Sequence, residues 1–127
     1  MGYTVHRVIS VVGLANGTMY EAHVAARTCA ADAIKQQSDS EPPIVSQLHD
    51  LINSQQTFTV HSNGSNHGYA DQTTCTEAMD NFVRFLASKS DRLQWVDVSY
   101  SKDRFLDALG QQPFAVIESA TYRTSDE

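Results

Sequence analysis

The spacing of apolar and polar positions changes several times along the chain, and each change predicts an element. Residues 4–14 are rich in Val and Ile, and Asn16-Gly17 follows at once. Asn-Gly after such a run is the strongest short-range hairpin signal, so the pattern predicts an opening β-hairpin. With a two-residue turn, Val11 would face Ala22, Ile9 would face Val24 and Gly13 would face Tyr20, forming an apolar side for the core. The opposite side would set His6, Val8, Ser10 and Val12 against Arg27, Ala25, His23 and Glu21, a mixed and partly wet surface.

Helical spacing comes next. Thr28 is placed to cap a short helix with Ala30, Ala33, Ile34 and Gln37 along one side. After the polar stretch 38–43, Pro42-Pro43 suits a helix start, and Ile44, Val45, Leu48, Leu51 and Ile52 follow at i, i+3, i+4 and i+7, which predicts a second helix burying those five. Residues 57–61 read as a strand with Phe58 and Val60 alternating against Thr57 and Thr59. A polar loop is expected over 62–72, and Thr74-Cys75-Thr76-Glu77 has the capping-box spacing for a third helix with the stripe Ala78, Met79, Phe82, Val83 and Leu86. Residues 93–100 are apolar on both alternations and predict a strand covered on both faces. A short fourth helix starting after Ser101, a stop at Gly110, a last strand over 114–118 and a frayed tail over 121–127 complete the expectation.

The predicted fold is therefore α+β in one domain spanning 1–127: an N-terminal β-hairpin and two or three further strands in a mainly antiparallel sheet, with about four helices packed on it. Composition agrees with a globular chain, at 41% apolar and 19% charged residues, and no apolar run approaches the ~20 residues of a membrane span. The start has no signal-peptide pattern and lacks the Ser or Thr that myristoylation wants at His6, so a cytoplasmic setting is expected. Cys29 and Cys75 are then expected as reduced thiols. The triplets at Asn16 and Asn63 read as turns, not glycosylation sites.

Charge changes the picture more than composition does. The net charge is −6, and residues 36–83 contain no Lys or Arg but six acids: Asp39, Glu41, Asp50, Asp71, Glu77 and Asp80. A domain of this sign repels phosphates, which argues against direct nucleic-acid binding and favours a protein partner with a basic surface. The residues expected to touch that partner are Asp39, Glu41, Asp50, His67, Tyr69 and Asp71, with charge steering the approach and Tyr69 as an anchor. In size and charge, though in no motif, the chain is similar to phage-encoded anti-defence proteins, anti-CRISPR proteins included. That resemblance implies an inhibitor that occupies a nucleic-acid channel of its target; the chain is expected as a monomer or as a homodimer, since an edge strand of the expected hairpin could pair across a two-fold axis.

Candidate chemistry is sparse. There is no C-x-x-C, P-loop, G-x-G-x-x-G, G-x-S-x-G or H-E-x-x-H in the chain. The alternative function, a small enzyme or anion sensor, rests on the stretch from His61 to Cys75, where a loop feeds a helix N-terminus. In that reading Cys75 is a thiolate of lowered pKa and His67 its base. His61, His67 and Asp71 match no metal spacing, and no metal or other cofactor is expected. His6 and His23 are expected as surface histidines too far apart to share an ion. Asp97, Asp103 and Asp107 are the remaining carboxylates that could meet in a cleft, and the last two lie among Lys102 and Arg104 as on a solvated helix face.

Overall fold

The computed structural model describes residues 6–36, 41–64, 70–89, 93–101 and 116–123, without the side chains of 36, 70–72, 100–101 and 116–123. The elements in order are β1 (His6–Leu14), α1 (Gly17–Gln36), β2 (Ile44–Val45), β3 (His49–Leu51), β4 (Gln55–His61), α2 (Ala70–Ser88), β5 (Leu93–Ser101) and β6 (Val116–Arg123). The strands form one sheet in the order β2-β4-β1-β5-β6, with β3 also paired to β4 and every neighbouring pair antiparallel. The class is α+β, as the periodicities predict.

The opening hairpin is not formed. Asn16 instead caps α1: its side-chain oxygen accepts from the backbone N–H groups of Thr18 and Met19 at 3.0 and 3.3 Å, and Tyr20 N–H reaches the Asn16 carbonyl. Asn is as good an N-cap as it is a turn residue, and here the Ala-rich run after it decides the outcome, since Ala has the highest helix propensity. Met19, Ala22, Ala26 and Ala30 form the buried stripe of one continuous helix, which absorbs the short helix expected from Thr28. Ala22 is buried as the hairpin reading required, but Tyr20 and Val24 are exposed.

In place of its expected hairpin partner, β1 has β4 on one side and β5 on the other. Ile9 lies opposite Val60 and Asp97, and Val11 opposite Phe58 and Trp95. Directly opposed residues share a face, so Ile9, Val11, Phe58, Val60, Trp95 and Leu93 make one apolar side, on which both helices pack, with Asp97 at its border. From α2 come Cys75, Met79, Phe82 and Leu86, with Phe58 and Phe82 tilted at 6.0 Å between ring centroids. Because β4 and β5 both oppose β1, they run in the same direction, and α2 is the crossover between them.

Three further expectations change. The second helix is absent; Ile44–Val45 and His49–Leu51 are short strands along β4. Thr74 is no helix cap, because α2 begins four residues earlier at Ala70 and buries Thr74 inside it. The last strand runs to Arg123, so Thr121–Arg123 is paired, not frayed. β5 buries Leu93 and Trp95 on the helix side, while Val96 and Val98 on the other side are only partly covered. Two helices are present among the described residues, against four expected; the expected fourth, after Ser101, lies outside them.

Candidate interaction surface

The five apolar residues that helical spacing assigns to a buried face are distributed along a sheet edge. Ile44 lies opposite His61 on β4, His49 opposite Thr57 and Leu51 opposite Gln55, all on the sheet face away from the helices. Leu14, opposite Gln55 from the β1 side, ends up on that same face. Ile44, Leu51 and Leu14 are exposed, and Ile52 at the β3–β4 turn is 84% exposed. Val45 and Leu48 alone of the five pack against the core.

The turn explains the exposure. Leu51 pairs with Gln55, leaving Ile52, Asn53 and Ser54 as the loop, and Asn53 and Ser54 take φ of 67° and 59°. Asn visits this left-handed region at modest cost, whereas β-branched Ile does not, so Ile52 occupies the position before it and points off the protein. The loop is tied down by the Ala15 N–H, which donates to the Ser54 carbonyl at 2.8 Å. Two acids are exposed in the same segment, Glu41 before β2 and Asp50 on β3; Asp50 opposes Gln56, on the helix side of the sheet, and accepts from its side-chain amide at 2.9 Å. Ile44 and Leu51 stand six β4 positions apart on this face, Asp50 lies on the other face, and residues 36–83 of the sequence carry no Lys or Arg.

The remaining candidate residues are placed as follows. Asp39, His67 and Tyr69, and likewise Asp103 and Asp107, lie outside the described residues, and so does the Asp71 side chain. Asp97 is not in an open cleft. It lies on the helix side of β5 and receives both Nε and Nη2 of Arg7, at 2.8 and 2.7 Å, while Arg7 Nη1 reaches Asp80 on α2 at 2.8 Å. This bidentate fork clamps the central strand to its neighbour and to the overlying helix. Arg7 and Asp97 are 16% and 13% exposed. Burial alone would lower the Arg7 pKa, but its hydrogen bonds to Asp97 and Asp80, and their charges, outweigh that and raise it.

Cys75 lies close by. It is buried, and that burial pushes its thiol up, against smaller downward pulls from the Asn63 backbone N–H and the Arg7 charge. A raised thiol is the opposite of the thiolate that nucleophilic chemistry needs, and its sulfur contacts Met79 Sδ at 3.9 Å inside the core. Cys29 is likewise pushed up, mainly by burial and then by Asp32. Both cysteines are free thiols.

His23 differs from the expected surface histidine: its Nε2 donates to the Ser46 carbonyl at 2.8 Å and its ring stands edge-on to Phe58. That bond links α1 to the segment between β2 and β3. Among the described residues no group of three or more His, Cys, Asp or Glu side chains is placed to hold a metal ion, and no helix is long and apolar enough to cross a membrane. A shallow groove of about 340 Å³ between α1 and α2 is lined by Tyr20, Val24, Ala25 and Phe85, with Glu21 at its side. Lys89 crosses its rim, 3.6 Å from Glu21 and 5.7 Å above the Phe85 ring.

Sequence reasoning misses Ile44, Leu51 and Ile52 as surface residues because it assigns them to a helix core. The signal that would have found them is Asn53-Ser54, two turn-forming residues between Leu51 and the alternating run of β4. No protein-family model matches this chain, and no similar protein is found among curated proteins or among solved structures.

Proposed function

We propose that this chain acts by binding: it docks through the β2–β3 edge on a basic surface of a partner protein and thereby inhibits or regulates that partner. The observation that carries this reading is the exposure of Leu51 and Ile52 at the β3–β4 turn and of Ile44 on β2, in a segment whose acids Glu41 and Asp50 are also exposed. Ile52 next to Leu51 offers apolar side chains that a partner could cover, and interface energy concentrates in such anchors while nearby charges set the approach. The partner surface is of the kind that binds nucleic acid, since an acidic stretch of 48 residues without a cation, 36–83, competes for the same basic groups that phosphates use. In a phage setting such a protein would serve as an anti-defence inhibitor.

The experiment is capture by the tagged chain from native host lysate across a salt series, run in parallel with Ile52→Asp and with the pair Glu41→Lys and Asp50→Lys. A stoichiometric basic protein held by the wild type, lost as salt rises, lost in both variants and displaced by DNA or RNA supports the reading. Retention by both variants removes the edge from consideration.

A further inference from the structure

We infer that His6 and His61 form a two-histidine site for a late first-row divalent transition-metal ion such as Zn²⁺ on the sheet face away from the helices. This inference is independent of the docking edge. The two residues sit on adjacent strands: Val8 is directly opposite His61, and His6 is two residues before Val8, which places both histidines on one face in a diagonal cross-strand relation. Their ring centroids are 6.1 Å apart with 46° between the planes. Two imidazoles binding one ion at metal–nitrogen distances of ~2.1 Å in a tetrahedral arrangement have centroids about 5 Å apart. The observed pair is therefore within roughly 1 Å of a chelating geometry, a gap that small rotations about the His χ angles close, since the terminal torsion of His is broad.

A second observation sets the chemistry of one ring. His61 Nδ1 lies 2.6 Å from the Ser62 carbonyl oxygen. A carbonyl only accepts, so Nδ1 carries the hydrogen, and in the neutral ring Nε2 is left with the lone pair that a metal needs. This is the arrangement by which proteins orient metal-binding histidines, with the far nitrogen donating to a backbone carbonyl and fixing the tautomer. Ser62 is in turn held in place, since its N–H donates to the Arg7 carbonyl and its Oγ accepts from the Arg7 N–H. Both histidines are half-buried, so an ion has access while the rings keep limited freedom. Among the described residues no third His, Cys, Asp or Glu joins them, so the site as described offers two protein ligands. Imidazole ligands favour Zn²⁺, Ni²⁺ and Cu²⁺ over Mg²⁺ and Ca²⁺.

Zn²⁺ is the probe. Isothermal titration of the full chain should show saturable 1:1 binding that Mg²⁺ does not reproduce. His6→Ala and His61→Ala should each weaken it by at least the roughly tenfold to hundredfold that losing a mere outer-shell partner costs, with His49→Ala unchanged. In the unsubstituted protein, sub-stoichiometric Zn²⁺ should shift the ring resonances of His6 and His61 together and ahead of the other three histidines. The inference is overturned by absence of saturable binding, by binding that survives in His61→Ala, or by Zn²⁺ shifting His23, His49 or His67 first.

Discussion

Ile52 and Phe58 are six residues apart in one β-hairpin, yet Phe58 is 1% exposed and Ile52 84%. They mark two regions that differ in what covers them. Phe58 belongs to the side of the sheet that α1 and α2 cover, where Ile9, Val11, Trp95, Phe82 and Leu86 close on one another. Ile52, with Leu51 and Ile44, lies along an edge that no described element covers, and Leu14, one strand in on β1, is exposed on the same sheet face as Leu51. Apolar residues in the first region stabilise the fold; in the second they contribute almost nothing to the isolated chain. The difference shows that hydrophobicity alone does not assign a residue to a core, and that the surplus at the edge is where binding should be sought.

The sharpest contrast comes from truncation. Phe82→Ala should cost about 3–5 kcal/mol in denaturant unfolding, because it removes a buried ring and leaves a cavity between α2 and β4. Next in size is Arg7→Ala, which strands the carboxylate of Asp97 without its partner on the covered side and should cost roughly 3 kcal/mol. A double-mutant cycle with Asp97→Asn should show strong coupling between the two, whereas Asp50 with Gln56 at the exposed edge should show little.

Smaller effects separate the observed start of the chain from the hairpin that its letters suggest. Asn16→Ala should lose about 1 kcal/mol, and Asn16→Ser should recover most of it, because Ser caps helices well. In a two-residue hairpin turn Ser would do no better than Ala, since that turn wants Asn, Asp or Gly.

The smallest effect is alkaline. Burial raises the pKa of Cys75 above its value in the unfolded chain, so the unfolded state gives up its thiol proton first. The stability this represents is fully present below the ordinary thiol pKa of about 8.5 and declines as pH rises through the folded value. Unfolding followed between pH 7 and 10 should show a decline that is shallower in Cys75→Ala than in the wild type, once the constant cost of the truncation is subtracted.

The two regions also differ in how legible they are from sequence. Strands β4 and β5 and the stripe of α2 can be read directly, because Phe58 and Val60, or Met79, Phe82 and Leu86, repeat at the period of their element and are buried. The opening departs from its expected hairpin at Asn16-Gly17, where one dipeptide serves equally as hairpin turn and helix cap, and only the Ala-rich run that follows distinguishes them. Residues 44–52 depart from their expected helix for a different reason. Their helical spacing is real, but Asn53 and Ser54 at positive φ turn the chain back onto β4, and pairing with that strand overrides local periodicity. Glu41 and Asp50 are exposed, and the exposure of Ile44, Leu51 and Ile52 is visible only once the helix is seen to be absent.

The most direct measurement compares Ile52→Asp with the wild type in two assays, denaturant unfolding and partner capture. With Ile52 at the exposed edge, unfolding should change by no more than about 0.5 kcal/mol while capture of the basic partner is lost. A large loss of stability, or undiminished capture by a folded variant, would contradict the assignment of this edge to binding.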